Sequence, residues 1–430
     1  MRPTRLAMIA WAFYDWANNA FGTIVQTFVF AAYFTRSVAL NQEVGTTLWG
    51  NAIGIAGLIV ALGGPVLGAV ADQGGRRKPW IASFTGICVL ATASLWFVRP
   101  ATNYVWLALF LVGVGTIGAE FATIFYNAML PDLVPRERMG RWSGWGWAMG
   151  YAGGLACLVG VLLGFITADH PLFGLKRESA QPVRAALVFA AAWYLLFALP
   201  LLALTPDKPS TGKKFGRAGC DGLAQLAGSL RRIRHHAHIV RFLIARMLYI
   251  DALATVFVFG GVFAAGTFGM DEQQVLLFGI TLNVTAGLGA AGFAWIDDWI
   301  GSKRTILVAL IGLMVPATLM LLVESMAWFW GYGLILGIFV GPVQAASRSY
   351  LSRVAPPELR TQLFGLYALS GKATAFVGPL LVGWVTHWSR SQRLGMGAVI
   401  VLFAIGFVVM LSVPQAWSNG VEETPSGDIA

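Results

Sequence analysis

The chain has 430 residues, 57% of them hydrophobic and 12% charged, with a net charge of +10. Soluble domains carry roughly 25% charged residues, so the excess apolar surface must face lipid, which excludes a soluble globular chain. Three cysteines (Cys88, Cys157 and Cys220) exclude a disulfide framework, and Cys88 and Cys157 fall inside apolar segments as packing residues. About twelve apolar segments follow in chain order, each near the 20 residues that cross a hydrocarbon core. Their approximate bounds are 8–34, 48–71, 80–98, 104–129, 142–167, 184–204, 240–266, 274–296, 304–323, 327–351, 362–386 and 394–413.

Arg2 and Arg5 precede an apolar stretch that runs to Tyr33, too long for the core of a cleavable signal peptide. On span one, Asp15, Asn19, Gly22, Gln26 and Tyr33 fall on one helical stripe. Span two ends in Gly68, Asp72, Gly75, Arg76, Arg77 and Lys78, a G-x-x-x-D-x-x-G-R-R-K run. Span four aligns Thr116, Glu120, Thr123 and Asn127. After span six, Pro206, Pro209, Ser210 and Gly212 read as a linker. Leu223, Leu226, Leu230 and Ile233 then recur at helical spacing beside Arg231, Arg232 and Arg234, as in a basic amphipathic helix lying on a leaflet. His235, His236 and His238 there read as a solvated basic face, not a metal site. Span seven holds Arg246, Asp251 and Thr255; span ten sets Gly337, Gly341, Gln344 and Arg348 on one face; span eleven holds Lys372.

Two turns recur. Ala294, Asp298, Gly301, Lys303 and Arg304 repeat the core of the first turn 226 positions on, and Pro356, Glu358, Gly365 and Gly371 repeat Pro135, Glu137, Gly144 and Gly150 at an offset of 221. Two repeated turns in the same order imply two related halves. Paired halves in so apolar a chain point to a transporter with its binding site between them. The division expected is a first bundle over 1–204, a linker over 205–238, a second bundle over 239–414 and a tail over 415–430.

With the N-terminus inside, about twenty Lys and Arg lie on the cytoplasmic side, against Arg36, Arg99, Lys176, Arg177, Arg184, Arg390 and Arg393 outside. By the positive-inside rule both termini are cytoplasmic, and the basic charge needs no nucleic acid. A charge inside the bilayer costs roughly 2.5 kcal/mol or more, so each must face protein or water. Spans one, four, seven and ten carry most of them, and spans three, six, nine and twelve carry none. The pattern predicts a cavity lined by the first set, with the second set facing lipid. The candidate substrate- or proton-binding residues are Asp15, Asn19, Gln26, Glu120, Asn127, Asp251, Gln344 and Arg348, with Tyr14-Asp15 and Tyr249-Ile250-Asp251 as equivalent positions. Their alternative role is to pair with one another and hold helices together, Glu120 with a nearby arginine. The gating residues expected are Gly68, Asp72, Gly75, Arg76, Arg77, Asp298 and Gly301, with Asp72 set against a helix N-terminus in one state only.

The first turn resembles the signature loop of the major facilitator superfamily. More narrowly, Phe13-Tyr14-Asp15-Trp16-Ala17-Asn18-Asn19-Ala20-Phe21 resembles the opening of the vacuole effluxer-like branch, related to the autophagy-linked vacuolar amino-acid exporters of fungi. So do 126–132, 146–154 and 344–349. The resemblance covers nearly the whole chain and implies an all-α membrane protein of two pseudo-symmetric six-helix bundles, the major facilitator fold, exporting a solute by alternating access, with amino acids as one substrate class. Asp15 and Asp251 are candidates for proton coupling or ammonium binding, and Arg348 for a carboxylate.

The function expected is secondary active export of a small polar solute by a monomer in the plasma (bacterial inner) membrane. A proton or other ion gradient drives it, without a cofactor. The alternatives are an exporter of amphipathic compounds, which the 17 tryptophans and 28 phenylalanines could serve, and a non-transporting membrane sensor. An enzyme is disfavoured: no Gly-x-x-x-x-Gly-Lys-Ser/Thr loop occurs and no histidine lies deep in a span.

Overall fold

The computed structural model describes residues 4–166, 174–175, 179–209, 211 and 237–415. The amphipathic segment around 223–233, His235, His236, Cys220 and the tail beyond 415 lie outside the described residues.

Among the described residues, eleven helical segments are long and apolar enough to cross a membrane. They are Gln42–Gly74, Lys78–Phe97, Thr102–Leu133, Arg136–Ile166, Gln181–Leu204, Ala237–Gly261, Gln273–Ile300, Ser302–Leu322, Met326–Val354, Pro357–Ser389 and Gln392–Leu411. Span one precedes them in pieces: an α-helix over Arg5–Ala20, a π-helical stretch over Phe21–Phe28, a short turn over Phe30–Tyr33 and a second π-helical stretch over Phe34–Val38. Span eleven is also broken, into Arg360–Lys372 and Val377–Ser389.

Packing repeats between the halves. Span one packs on five and six, two and three on four, and three on six; span seven packs on eleven and twelve, eight and nine on ten, and nine on twelve. The halves join through spans two and eleven, and through spans eight and five, with four, ten and eleven meeting at the centre. Outward stripes are apolar and exposed: Leu195, Leu196 and Leu199 on span six, Val308, Ile311 and Val315 on span nine, Val401, Ile405 and Val408 on span twelve. Their three- and four-residue spacing is one helix face turned to lipid. Trp106, Trp299, Trp328 and Trp388 stand exposed near span ends, where indole rings sit at membrane–water boundaries.

Candidate functional site: a charged seam between the halves

The repeated turns meet crosswise. Gly75 takes φ 84° and Gly301 φ 87°, conformations open to glycine, and these end spans two and eight. Each turn thereby places its Asp against the opposite half. Asp72 accepts from Thr361 N (3.3 Å), Thr361 Oγ1 (2.6 Å) and Gln362 N (3.0 Å) at the start of span eleven. Asp298 accepts from Gly140 N (2.8 Å) and Arg141 N (3.1 Å) at the start of span five. Both receiving helices begin alike, with Pro135 and Pro356 at φ −58° and −56° before one 3-10 turn. The four unpaired N–H groups at a helix start, with the positive end of the helix dipole, suit a carboxylate. Close contact makes the caps reachable. A Cβ on Gly68 would run into the Thr361 carbonyl, and one on Gly365 into the Gly64 backbone; on the other side Gly144 stands against Ala290 and Ala294.

Charged side chains brace both junctions with exchanged polarity. In the first half the turn supplies the cation: buried Arg77 bonds the Ala128 carbonyl (2.7 Å), Asp132 (2.5 Å) and Thr361 (3.0 Å). In the second half the turn supplies the anions: Arg353 reaches Asp297 (2.9 Å) and Asp298 (3.0 Å), with Ser302 and Ser349 also bonded to Asp297. Arg76 is exposed. The first residues of the linker strap the first turn, since Asp207 accepts from Arg77 N (2.9 Å) and Lys78 N (3.1 Å). Lys208 lies 3.6 Å from Asp132, and burial, ahead of the repulsion from Arg77, lowers its pKa. The end of span twelve and the residues just after it hold the second turn: Lys303 donates to the Leu411 carbonyl and Gln415 to the Ile300 carbonyl.

Deeper in the seam, Arg348 of span ten is buried against the first half. It donates to Asp15 (2.9 Å), Asn127 (3.2 Å), Ser143 Oγ (2.9 Å) and the Ser143 carbonyl (2.6 Å). Its guanidinium lies 4.9 Å from the Trp11 ring and 5.8 Å from those of Tyr126 and Trp147. Tyr126 OH completes Asp15 at 2.9 Å. Asn127 and Arg348 are partners across the repeat as well as across the seam, separated by the same offset of 221 as the second turn. Midway along spans four and eleven, Glu120 pairs with Lys372 at 2.8 Å, with side chains 32% and 34% exposed. Gln26 donates to Thr116 (2.9 Å), Gln344 to Tyr151 (3.2 Å), and Asn19 lies against Gly150.

Several expectations need correction. Glu120 pairs with a lysine, not an arginine. Asp251 does not face the seam: it is buried inside the second half, where Oδ2 caps Gly378 N (3.0 Å) at the restart of span eleven and Oδ1 has no hydrogen-bond partner among the described residues. Asp15 and Asp251 differ in their partners: Asp15 pairs across the halves and Asp251 bonds within one. A cavity of about 1100 Å³ holds none of the candidate residues. It opens at the end remote from the two turns and is lined from spans one, seven, eight, nine, ten and twelve, with Gln42 of span two. Spans nine and twelve thus face a cavity as well as lipid, and span four does not reach it. The sequence shows Lys372 as a mid-span charge without naming its partner, and does not single out Asp132, Arg353, Asp297 or Ser143 as site residues.

The seam has a polarity. Asp15, Glu120 and Asp132 belong to the first half, and their partners Arg348, Lys372 and Arg360 to the second. Asp298 with Arg141 (3.6 Å) runs the other way.

Comparison with known proteins agrees with this architecture. A chain from Bacillus subtilis (strain 168), "Uncharacterized MFS-type transporter YxiO", is 27% identical over 417 residues, 96% of each chain. "Autophagy-related protein 22-1" of Neosartorya fischeri is 25% identical over 320 residues, 67% of this chain and 51% of that one, so the match spans about half of the fungal relative. Among solved structures, the human organic anion transporter MFSD10 superposes with a TM-score of 0.71 at 17% identity, over 95% of this chain and 100% of the other. FucP in the outward conformation gives 0.72 at 15% identity, over 95% and 98%. A family model described as "Vacuole effluxer Atg22 like" matches residues 46–421, and with it this chain belongs to that family of transporters, a branch of the major facilitator superfamily.

Proposed function

We propose that the chain exports a small zwitterionic solute, of the amino-acid class, by proton-coupled alternating access, and that it lies in the plasma membrane with both termini cytoplasmic. On that orientation the two sealed turns are cytoplasmic and the structure is the exterior-open form. Export follows the family's description as effluxers. The observation that carries the reading is the Glu120–Lys372 pair, an ammonium and a carboxylate joined across the halves at mid-span.

Magnitudes separate it from its neighbour. Removing one partner of a buried pair such as Asp15–Arg348 costs about 3–5 kcal/mol. A pair one-third exposed contributes on the order of 1 kcal/mol or less, so a solute can displace it. A zwitterion replaces both ends at once, its ammonium on Glu120 and its carboxylate on Lys372. Arg348, which the sequence suggested for the carboxylate, has its donors committed to the first half and acts as a latch. Asp251, with one buried oxygen unpartnered, is the candidate proton carrier.

The test is counterflow of labelled neutral amino acids in proteoliposomes under an imposed pH gradient. Lys372→Gln and Glu120→Gln should each abolish it. Asp251→Asn should leave exchange intact and remove the response to the gradient. Full transport by both seam variants would end the proposal, as would a wild-type protein that binds amino acids without moving them.

A further inference from the structure

The cavity at the open end takes no part in that reading. Its volume is about 1100 Å³. One wall is made by Phe263, Phe278 and Phe329, all buried, beside Met320 and Met396. The polar side chains of the lining are Thr27, Arg36, Gln42 and Gln273, all exposed, and Asn283, half-buried on span eight. Arg36 is the single charged side chain among the described residues that line it. Ligand sites are built this way, with an apolar wall for binding and a few polar groups for orientation. A small zwitterion would leave most of this wall against water.

Two further observations point to a ligand. Both π-helical stretches of span one face the cavity: Thr27 and Phe28 come from the first and Arg36 from the second. Such stretches are rare and concentrate at functional sites. Gly260 and Gly279 also line it, and a Cβ on either would meet no atom within 4 Å. No close packing requires glycine there, and glycine weakens a helix. The room is left by residue choice.

We infer that this cavity binds an amphipathic monoanion. The head, a carboxylate, sulfonate or phosphate ester, lies on Arg36 with Gln42 and Gln273 as further donors, and one aliphatic or aryl tail lies on Phe263, Phe278 and Phe329. A membrane lipid and a free amphiphile share this chemistry.

The test uses the full-length chain in phosphatidylcholine nanodiscs with a dansyl-labelled undecanoate as probe. The expected result is saturable, blue-shifted emission that hexadecanoate displaces and hexadecylammonium does not. Arg36→Gln should weaken binding roughly tenfold, as loss of one charged hydrogen bond does. Gly279→Leu fills the tail site and should abolish binding, and Gly260→Leu is the second variant should the first not yield monodisperse protein. Equal displacement by the ammonium amphiphile overturns the inference, and so does native affinity in the glycine variants. Mass spectrometry of retained lipid distinguishes the source: phosphatidylglycerol held by the native chain and lost from Gly279→Leu identifies a lipid, and its absence beside normal probe binding identifies a free amphiphile.

Discussion

Arg348 sits where an unpaired cation would be untenable, and four hydrogen bonds with three aromatic rings hold it there. Arg348→Gln should lower stability by about 3–5 kcal/mol, because Asp15 is left buried without its charge partner. Asp15→Asn added to it should recover part of that loss, measured by thermal unfolding in detergent; strictly additive losses would show that the two residues are not coupled. Arg348→Lys should rescue poorly, since an ammonium cannot reproduce a planar fork that bonds Asp15, Asn127 and Ser143 together. The sequence marked both charges as costly and therefore purposeful. It could not pair them: 333 positions separate the two, and helical periodicity encodes which face a residue takes but not which distant helix that face meets. The same limit hid Lys372 as the partner of Glu120.

At the level of elements the two crossed caps join the halves, and we propose that they act as the switch. A helix start always carries free N–H groups, and a carboxylate on the opposite half reaches them only while the halves are closed at that end, so on this proposal each Asp favours the closed arrangement. Charged hydrogen bonds contribute about 1.5–3 kcal/mol each. Asp72→Asn should therefore raise the exposed fraction of the turn-bearing end at least about tenfold, read as faster labelling of a cysteine introduced at Ser143 by a water-soluble thiol reagent. Asp298→Asn should do the same through the other junction. Unchanged labelling in both would remove the switch. Gly68→Val should act in the same direction by steric means, since its side chain would meet the Thr361 carbonyl. These turns were legible in the sequence because Asp and Gly contribute nothing to membrane topology, so their repetition called for another reason. The breaks in spans one and eleven were not legible. Residues 373–376 hold no proline or glycine, and span one is interrupted at Val29 by the same apolar composition that elsewhere runs on as α-helix. Pro65 and Pro342, by contrast, sit inside continuous helices. Packing against neighbours, which sequence does not display, decided each case.

Across the whole molecule, closure at one end and opening at the other follow from two bundles that touch along one seam. A reagent that fixes the bundles at the sealed end should stop the cycle. Asp132→Cys with Arg360→Cys, joined by a short thiol cross-linker, should abolish counterflow, and cleaving the link should restore it; activity that persists in the linked form would rule out rocking. The fold was readable because duplication and span length are global signals that survive local error. The cavity at the open end was not, since it is assembled from seven spans and from glycines that line it.

The seam's polarity has a consequence for assembly. Three acids on one bundle face three bases on the other, so a bundle meeting a second copy of itself would set like against like. If the gene were cut within the linker and the two pieces translated apart, attraction between unlike faces should sort them into mixed pairs.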